Sequence, residues 1–282
     1  MSAEQVQDRP IAPIAASGRP YREPPSWLIV ALAAAYVVAL AALVFLPGDT
    51  LLNRLRALDG GICAQNPLHS FFPAGQQLPL CSRNTGIYIG FASTFLTLAA
   101  LGRLRAAQLP ARWVLLVLGA AVLFMAEDGF NSLFLDLGLP HLYQPHNLLR
   151  LASGLGTGVA MCAVLLPVAN TLIWRDEDDR TSFGSLRELA VMLPVLILVF
   201  LAVGSQTAPL LYPVALLSSA GLVMALTLVN LVFVLGIGNK VGRFATWRQL
   251  VPAFTLIVVL AVVELTLLFH LKLAALSALH AP

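Results

Sequence analysis

Long runs of apolar residues, interrupted by short polar connections, set the terms on which this chain can fold. The blocks at 27–46, 86–102, 111–126, 148–173, 187–204, 212–236 and 250–271 are each long enough, with tilt or a short interfacial extension, to cross about 30 Å of hydrocarbon as a helix. Hydrophobic residues make up 59% of the 282 and charged residues only 11%, against about 25% charged in a soluble domain. A water-soluble globule is therefore excluded. The expected fold is all-α, a polytopic transmembrane helix bundle of about seven spans. Because the 17 Lys and Arg are scattered between the blocks and form no patch, nucleic acid is excluded as a partner too.

Residues 1–26 are polar and broken by Pro10, Pro13, Pro20, Pro24 and Pro25, which predicts a disordered tail with no core of its own. The block at 27–46 is too long for a signal-peptide apolar region and no small-residue cleavage site follows it, so it reads as a retained anchor. An N-terminus inside and a C-terminus outside put twelve of the 17 basic residues on the cytoplasmic side. Arg54, Arg56, Arg83, Arg150 and Lys272 are left outside, as the positive-inside rule asks. The organisation expected is a cytoplasmic tail (1–26), a four-span membrane domain (27–173) with an outward loop over 47–85, and three C-terminal membrane helices (174–282), all in the cell membrane.

Glycine spacing reports on helix contacts. Gly86 and Gly90 in the second block, and Gly154 and Gly158 in the fourth, each make a small-xxx-small step that lets two backbones approach closely.

The 47–85 connection is long for an ordered loop, and such loops are commonly functional. It holds Cys63 and Cys81, whose spacing allows a disulfide closing a loop worth about 3 kcal/mol. The same sulfurs, with His69, are a weak candidate metal set whose spacing matches no standard site. A redox pair is a further alternative, at a spacing far from Cys-x-x-Cys. Arg83, Asn84 and Tyr88 follow at the start of the second span, Asp128 and Asn131 at the end of the third, and Asn147 and Arg150 at the start of the fourth. Since consecutive spans are antiparallel, all seven fall at one depth, the outer end. Two arginines beside an aspartate and two asparagines suit a phosphate or carboxylate held in bidentate fashion.

Cys63-Ala-Gln-Asn-Pro, the segment Cys81-Ser-Arg-Asn-Thr-Gly-Ile-Tyr-Ile-Gly90, Asp128-Gly129 and Asn147-Leu-Leu-Arg150 together resemble the domain of unknown function numbered 2085, a family of bacterial and archaeal predicted membrane proteins. The resemblance covers about residues 60–160. It implies that Cys63, Cys81, Arg83, Tyr88, Asp128, Asn147 and Arg150 occupy the family's recurring polar positions. Ala64 and His69 stand where members often carry His and Arg, which removes a Cys-His pair from any metal site. The family carries no assigned reaction.

Glu264, well inside the last block, is the exception in an otherwise apolar C-terminal half, with Ser219 and Thr227 as its expected hydrogen-bond partners. Three functions compete. One is an outward polar site binding or acting on a membrane lipid or a small anionic amphiphile, with Asp128 as a base if chemistry is done there. The others are a structural subunit of a membrane complex and a proton-linked transporter using Glu264. The sequence identifies no cofactor, no catalytic nucleophile and no protein partner.

Overall fold

The computed structural model describes residues 48–238 and 241–279, together with Pro25, Ser26, Leu28 and Val30. The expected tail over 1–26 and first span over 27–46 otherwise lie outside the described residues. A short amphipathic helix, α1 (Leu51–Asp59), is capped by the Thr50 hydroxyl, which accepts from Asn53 N–H at 3.2 Å. Six longer helices follow: α2 (Ser82–Ala100), α3 (Arg112–Asp136), α4 (Asn147–Ile173), α5 (Leu186–Gly204), α6 (Leu211–Ile237) and α7 (Trp247–Leu279).

Five of them, α3 to α7, are long and apolar enough to cross a membrane. The chain is thus a mostly helical membrane bundle. α2 has 19 residues and opens on Ser82-Arg83-Asn84-Thr85, so it is less apolar than the others and survives by burial rather than by lipid contact. Helix α3 runs beyond the block at 111–126 to Asp136, because Asp128, just after the apolar run, finds partners inside the protein while Glu127 stays exposed.

The second and fourth blocks meet as their glycines foretell. A Cβ on Gly154 would lie 2.3 Å from the Arg83 carbonyl oxygen, and one on Gly158 would lie 2.1 Å from that of Ile87. Gly221 on α6 stands just as close, 2.1 Å, to the Tyr88 carbonyl. Helix α2 is therefore clamped between α4 and α6 at backbone contact, which brings dispersion and Cα–H contacts that no larger residue permits. Outside this clamp, α3 presents Trp113, Leu116, Leu123 and Phe130, and α5 presents Leu193, Ile197 and Leu201, all exposed. Unpaired apolar surface on this scale is the side that lipid covers.

One departure from a purely helical chain lies at the end of the bundle where α2 and α4 finish. There β1 (Ala106–Gln108) and β2 (Asp178–Thr181) pair in parallel. Buried Asn170 on α4 holds this end closed: its amide donates to the carbonyls of Leu104 at 2.9 Å and Ala106 at 2.8 Å, and its oxygen accepts from Trp174 Nε1 at 2.9 Å. Asn170→Ala strands those three groups, so a loss of about 1–3 kcal/mol is expected, read as a lowered Tm in neutral detergent.

The partners expected for Glu264 are different ones. Ser219 donates instead to Asp59 Oδ2 at 2.6 Å and Thr227 to the Val223 carbonyl at 2.7 Å, while Glu264 Oε2 accepts from Asn230 Nδ2 at 2.7 Å. Side chains lean toward their own helix N-terminus. In the antiparallel pair α6 and α7, Asn230 and Glu264 therefore lean toward each other and close the gap along the helix axes.

Candidate functional site

At the other end of the bundle the first turns of α2 and α4 lie beside the last turns of α3. Asp128, Asn131 and Ser132 are three and four residues apart, so they share one face of α3, and all three are buried. Arg83, in the first turn of α2, ion-pairs with Asp128 through Nη2 and reaches the Ser132 hydroxyl at 3.3 Å. Tyr143 donates its hydroxyl to the other Asp128 oxygen at 3.1 Å. Arg150, 4% exposed, directs Nε and Nη2 at the same Ser132 oxygen, at 3.4 and 3.3 Å, and Nη1 at Asn147 Oδ1 at 2.9 Å. The Asn147 amide in turn donates to the carbonyls of Ser70 at 3.1 Å and Leu68 at 3.3 Å, which ties the 47–85 connection over the cluster.

Arg83, Asp128, Asn147 and Arg150 are thus joined in one network through Ser132. Asn131 lies beside it with a separate task. Its side-chain oxygen accepts from the N–H of Leu142 at 2.7 Å and of Tyr143 at 3.3 Å, and its amide donates to the Tyr143 carbonyl at 2.9 Å. That staple folds the α3–α4 connection back and delivers the Tyr143 hydroxyl to Asp128.

The charges do not pair off directly. Asp128 is the buried carboxylate of the cluster and Arg83 engages it, whereas Asp136, at the end of α3, pairs with His69 Nε2 at 3.2 Å. Among the described residues Arg150 has no carboxylate within ion-pair distance. A guanidinium carries five N–H donors, and one shared hydroxyl plus one amide oxygen leave donors over. Arg83 Nε is buried and also without a partner. His69 adds no further positive charge: burial, then the nearby Arg150, lowers its pKa, so the ring is neutral at pH 7. Asp136 beside it keeps its negative charge, which acts on Arg150 from beyond ion-pair distance. Burial and the hydrogen bond to Asp128 push the Tyr143 phenol up to about 12, which keeps it a donor.

Asn84 and Tyr88 do not join this network. One residue along a helix is a turn of about 100°, so Asn84 and Tyr88 face away from Arg83, toward α1, α6 and the cysteines. Cys63 and Cys81 are neighbours carrying free thiols, with the two sulfurs hydrogen-bonded to each other. His69 stands apart from them with Asp136, and among the described residues no three His, Cys, Asp or Glu are grouped to hold a metal. Ser132 and Tyr143, central to the arginine network, went unread in the sequence. Ser132 had a local signal, four residues after Asp128 on the same face, while Tyr143 had none, since a loop staple brings it in.

Residues 63–164 match the family model described as "Predicted membrane protein (DUF2085)". An uncharacterized protein of Methanocaldococcus jannaschii is 30% identical over 121 residues, 43% of this chain and 72% of its own length. An uncharacterized protein of Methanothermobacter thermautotrophicus is 32% identical over 115 residues, 40% of this chain and 90% of its own. No solved structure matches the chain.

Proposed function

For a chain that belongs to the DUF2085 family of predicted membrane proteins, we propose a multi-pass protein of the cell membrane whose outward polar end binds the anionic group of a lipid or another amphiphile. The arrangement proposed with it is seven spans, N-terminus inside and C-terminus outside, with the four-span domain (27–173) carrying the site. The observation that carries the reading is Arg150, buried at 4% exposure without a carboxylate of its own. Two guanidinium groups share one buried carboxylate and one hydroxyl. The charge of Asp136 also acts on Arg150 but stays beyond ion-pair distance on a half-exposed side chain. Arg150 therefore lacks a direct countercharge, and a buried unpaired charge costs several kcal/mol. A phosphate or carboxylate supplies the missing charge and takes the spare N–H donors in bidentate geometry.

In neutral detergent, a short-chain anionic phospholipid is expected to raise the Tm of the full chain in a saturable way, and a zwitterionic one of equal chain length is not. At one hundred times Kd the gain is about 2.7 kcal/mol. Arg150→Gln should abolish the difference while the protein stays folded; equal shifts with both lipids would end the proposal.

A second reading, an internal lock in a structural subunit, draws on the closed bonding of Asn131, which spends its side chain wholly on the 137–146 connection. A transporter role for Glu264 has less behind it, since Asn230 already satisfies one of its oxygens.

A further inference from the structure

On the face of α2 turned away from the arginines, the cysteine pair sits in a built environment. The Cys63 sulfur accepts the backbone N–H of Cys81 at 3.2 Å and of Gln65 at 3.4 Å. It also takes hydrogen bonds from the Cys81 thiol and the Asn84 side chain. Gln65 holds a left-handed backbone, φ 56°, which costs a non-glycine residue about 1 kcal/mol. Two hydrogen bonds from its own side-chain amide keep it there, to the carbonyls of Arg56 at 2.9 Å and Pro79 at 2.7 Å, while Gln77 bonds its carbonyl at 2.8 Å. Lys272 on α7 pins the same turn through the carbonyls of Gly60 at 3.1 Å and Cys63 at 2.9 Å. A strained residue is thus secured in the one conformation that aims its N–H at a sulfur.

Beside that sulfur lies Asp59, fully buried, with Oδ2 bonded to Ser219 and Oδ1 without a partner. Tyr88 is the other ionisable group facing it from α2. Exposure separates the two cysteines: Cys63 is 2% exposed, whereas Cys81, the N-cap of α2, is partly open.

We propose that Cys63 and Cys81 are a working redox dithiol, exchanging with a thiol–disulfide couple that reaches the bundle at Cys81. In the oxidised protein the thiolate of an incoming dithiol attacks the accessible Cys81 sulfur. The Cys63–Cys81 bond breaks and Cys63 leaves as a thiolate into its nest of N–H donors, the condition under which a leaving thiol departs fastest. The second thiolate of the partner attacks the mixed disulfide and releases Cys81. The partner's two protons end on the two cysteines, one of them by way of the Asp59 carboxyl; one disulfide and one dithiol have exchanged two electrons. The arrangement seen here is the reduced end of that exchange. Donors on the Cys63 sulfur lower its pKa, and the same hydrogen bond, with burial, raises that of Cys81. Burial pushes Asp59 up to about 7, where a carboxyl both gives and takes a proton.

The test uses the full chain in neutral detergent, equilibrated across ratios of reduced to oxidised glutathione, then alkylated with a mass-tagged maleimide. Reversible interconversion of dithiol and disulfide is expected within the range these ratios span. Cys63→Ser, which cannot displace a partner from Cys81, should accumulate a glutathione adduct on Cys81 several-fold above the wild type. Asp59→Asn should keep the titration but change how the exchange rate varies with pH around 7. A bond that excess reduced glutathione leaves intact until the protein unfolds would make it a structural disulfide and overturn the proposal. Thiols that stay reduced at every ratio, or that take up zinc stoichiometrically, would overturn it equally.

Discussion

Gly158→Leu is expected to abolish the folded bundle. Its Cβ alone would stand 2.1 Å from the Ile87 carbonyl and 2.7 Å from the Phe91 nitrogen. Both are backbone atoms of α2, so no rotamer change relieves the clash and the two central helices must part. Overpacking of a core by flexible groups costs about 1–3 kcal/mol, and against fixed backbone the cost is expected at or above the top of that range. The protein should fail to give a monodisperse species in detergent. Two other glycines, Gly156 on α4 itself and Gly119 on α3, grade the effect. A Cβ on Gly156 meets only the Ala121 side chain, at 3.2 Å, and one on Gly119 meets nothing within 4 Å. Gly156→Ala should cost little, and Gly119→Ala should stabilise by up to about 1 kcal/mol through helix propensity. Equal tolerance at all three positions would contradict the close crossing.

Asp128→Asn carries the second large effect. Asp128 is fully buried and takes both the Arg83 guanidinium and the Tyr143 hydroxyl. Neutralising it leaves two arginines without any buried countercharge, and breaking such a pair from one side costs about 3 kcal/mol or more. Arg83 keeps some exposure, which trims the penalty. The double replacement Arg83→Met with Asp128→Leu should recover much of the lost stability, since the pair is then removed whole. A single variant as stable as the wild type would show that the pair is solvated and that the charge count at the site is wrong.

Much of the architecture was legible because membrane spans leave long, one-dimensional signals. Apolar blocks foretell α3 to α7, and the glycine steps foretell the α2–α4 crossing because a backbone contact tolerates only one residue type. What the blocks misjudged were ends and partners. The charged pair Glu127-Asp128 reads as the close of a span, yet α3 runs two more turns to Asp136, since Arg83 and Tyr143 reward a buried Asp128. Ser219 reads as a partner for Glu264, but its hydroxyl meets Asp59 from the distant α1. Such pairings are decided by three-dimensional neighbours, on which periodicity is silent. The seven polar candidates share one end of the bundle, but their division between two faces of α2 follows from the rotation between residues 83 and 84. A list of residues at equal depth does not carry that rotation.

The direct countercharge that Arg150 lacks is tested most directly by native mass spectrometry of the gently extracted protein, offered equal amounts of phosphatidylglycerol and phosphatidylcholine. The wild type is expected to retain one phosphatidylglycerol at collision energies that strip phosphatidylcholine. Arg150→Gln, checked as folded by its Tm, should lose that preference at least tenfold, while Lys272→Gln, a basic residue away from the cluster, should keep it. Retention of both lipids alike by the wild type, or an undiminished preference in Arg150→Gln, would contradict an anion site at Arg83 and Arg150.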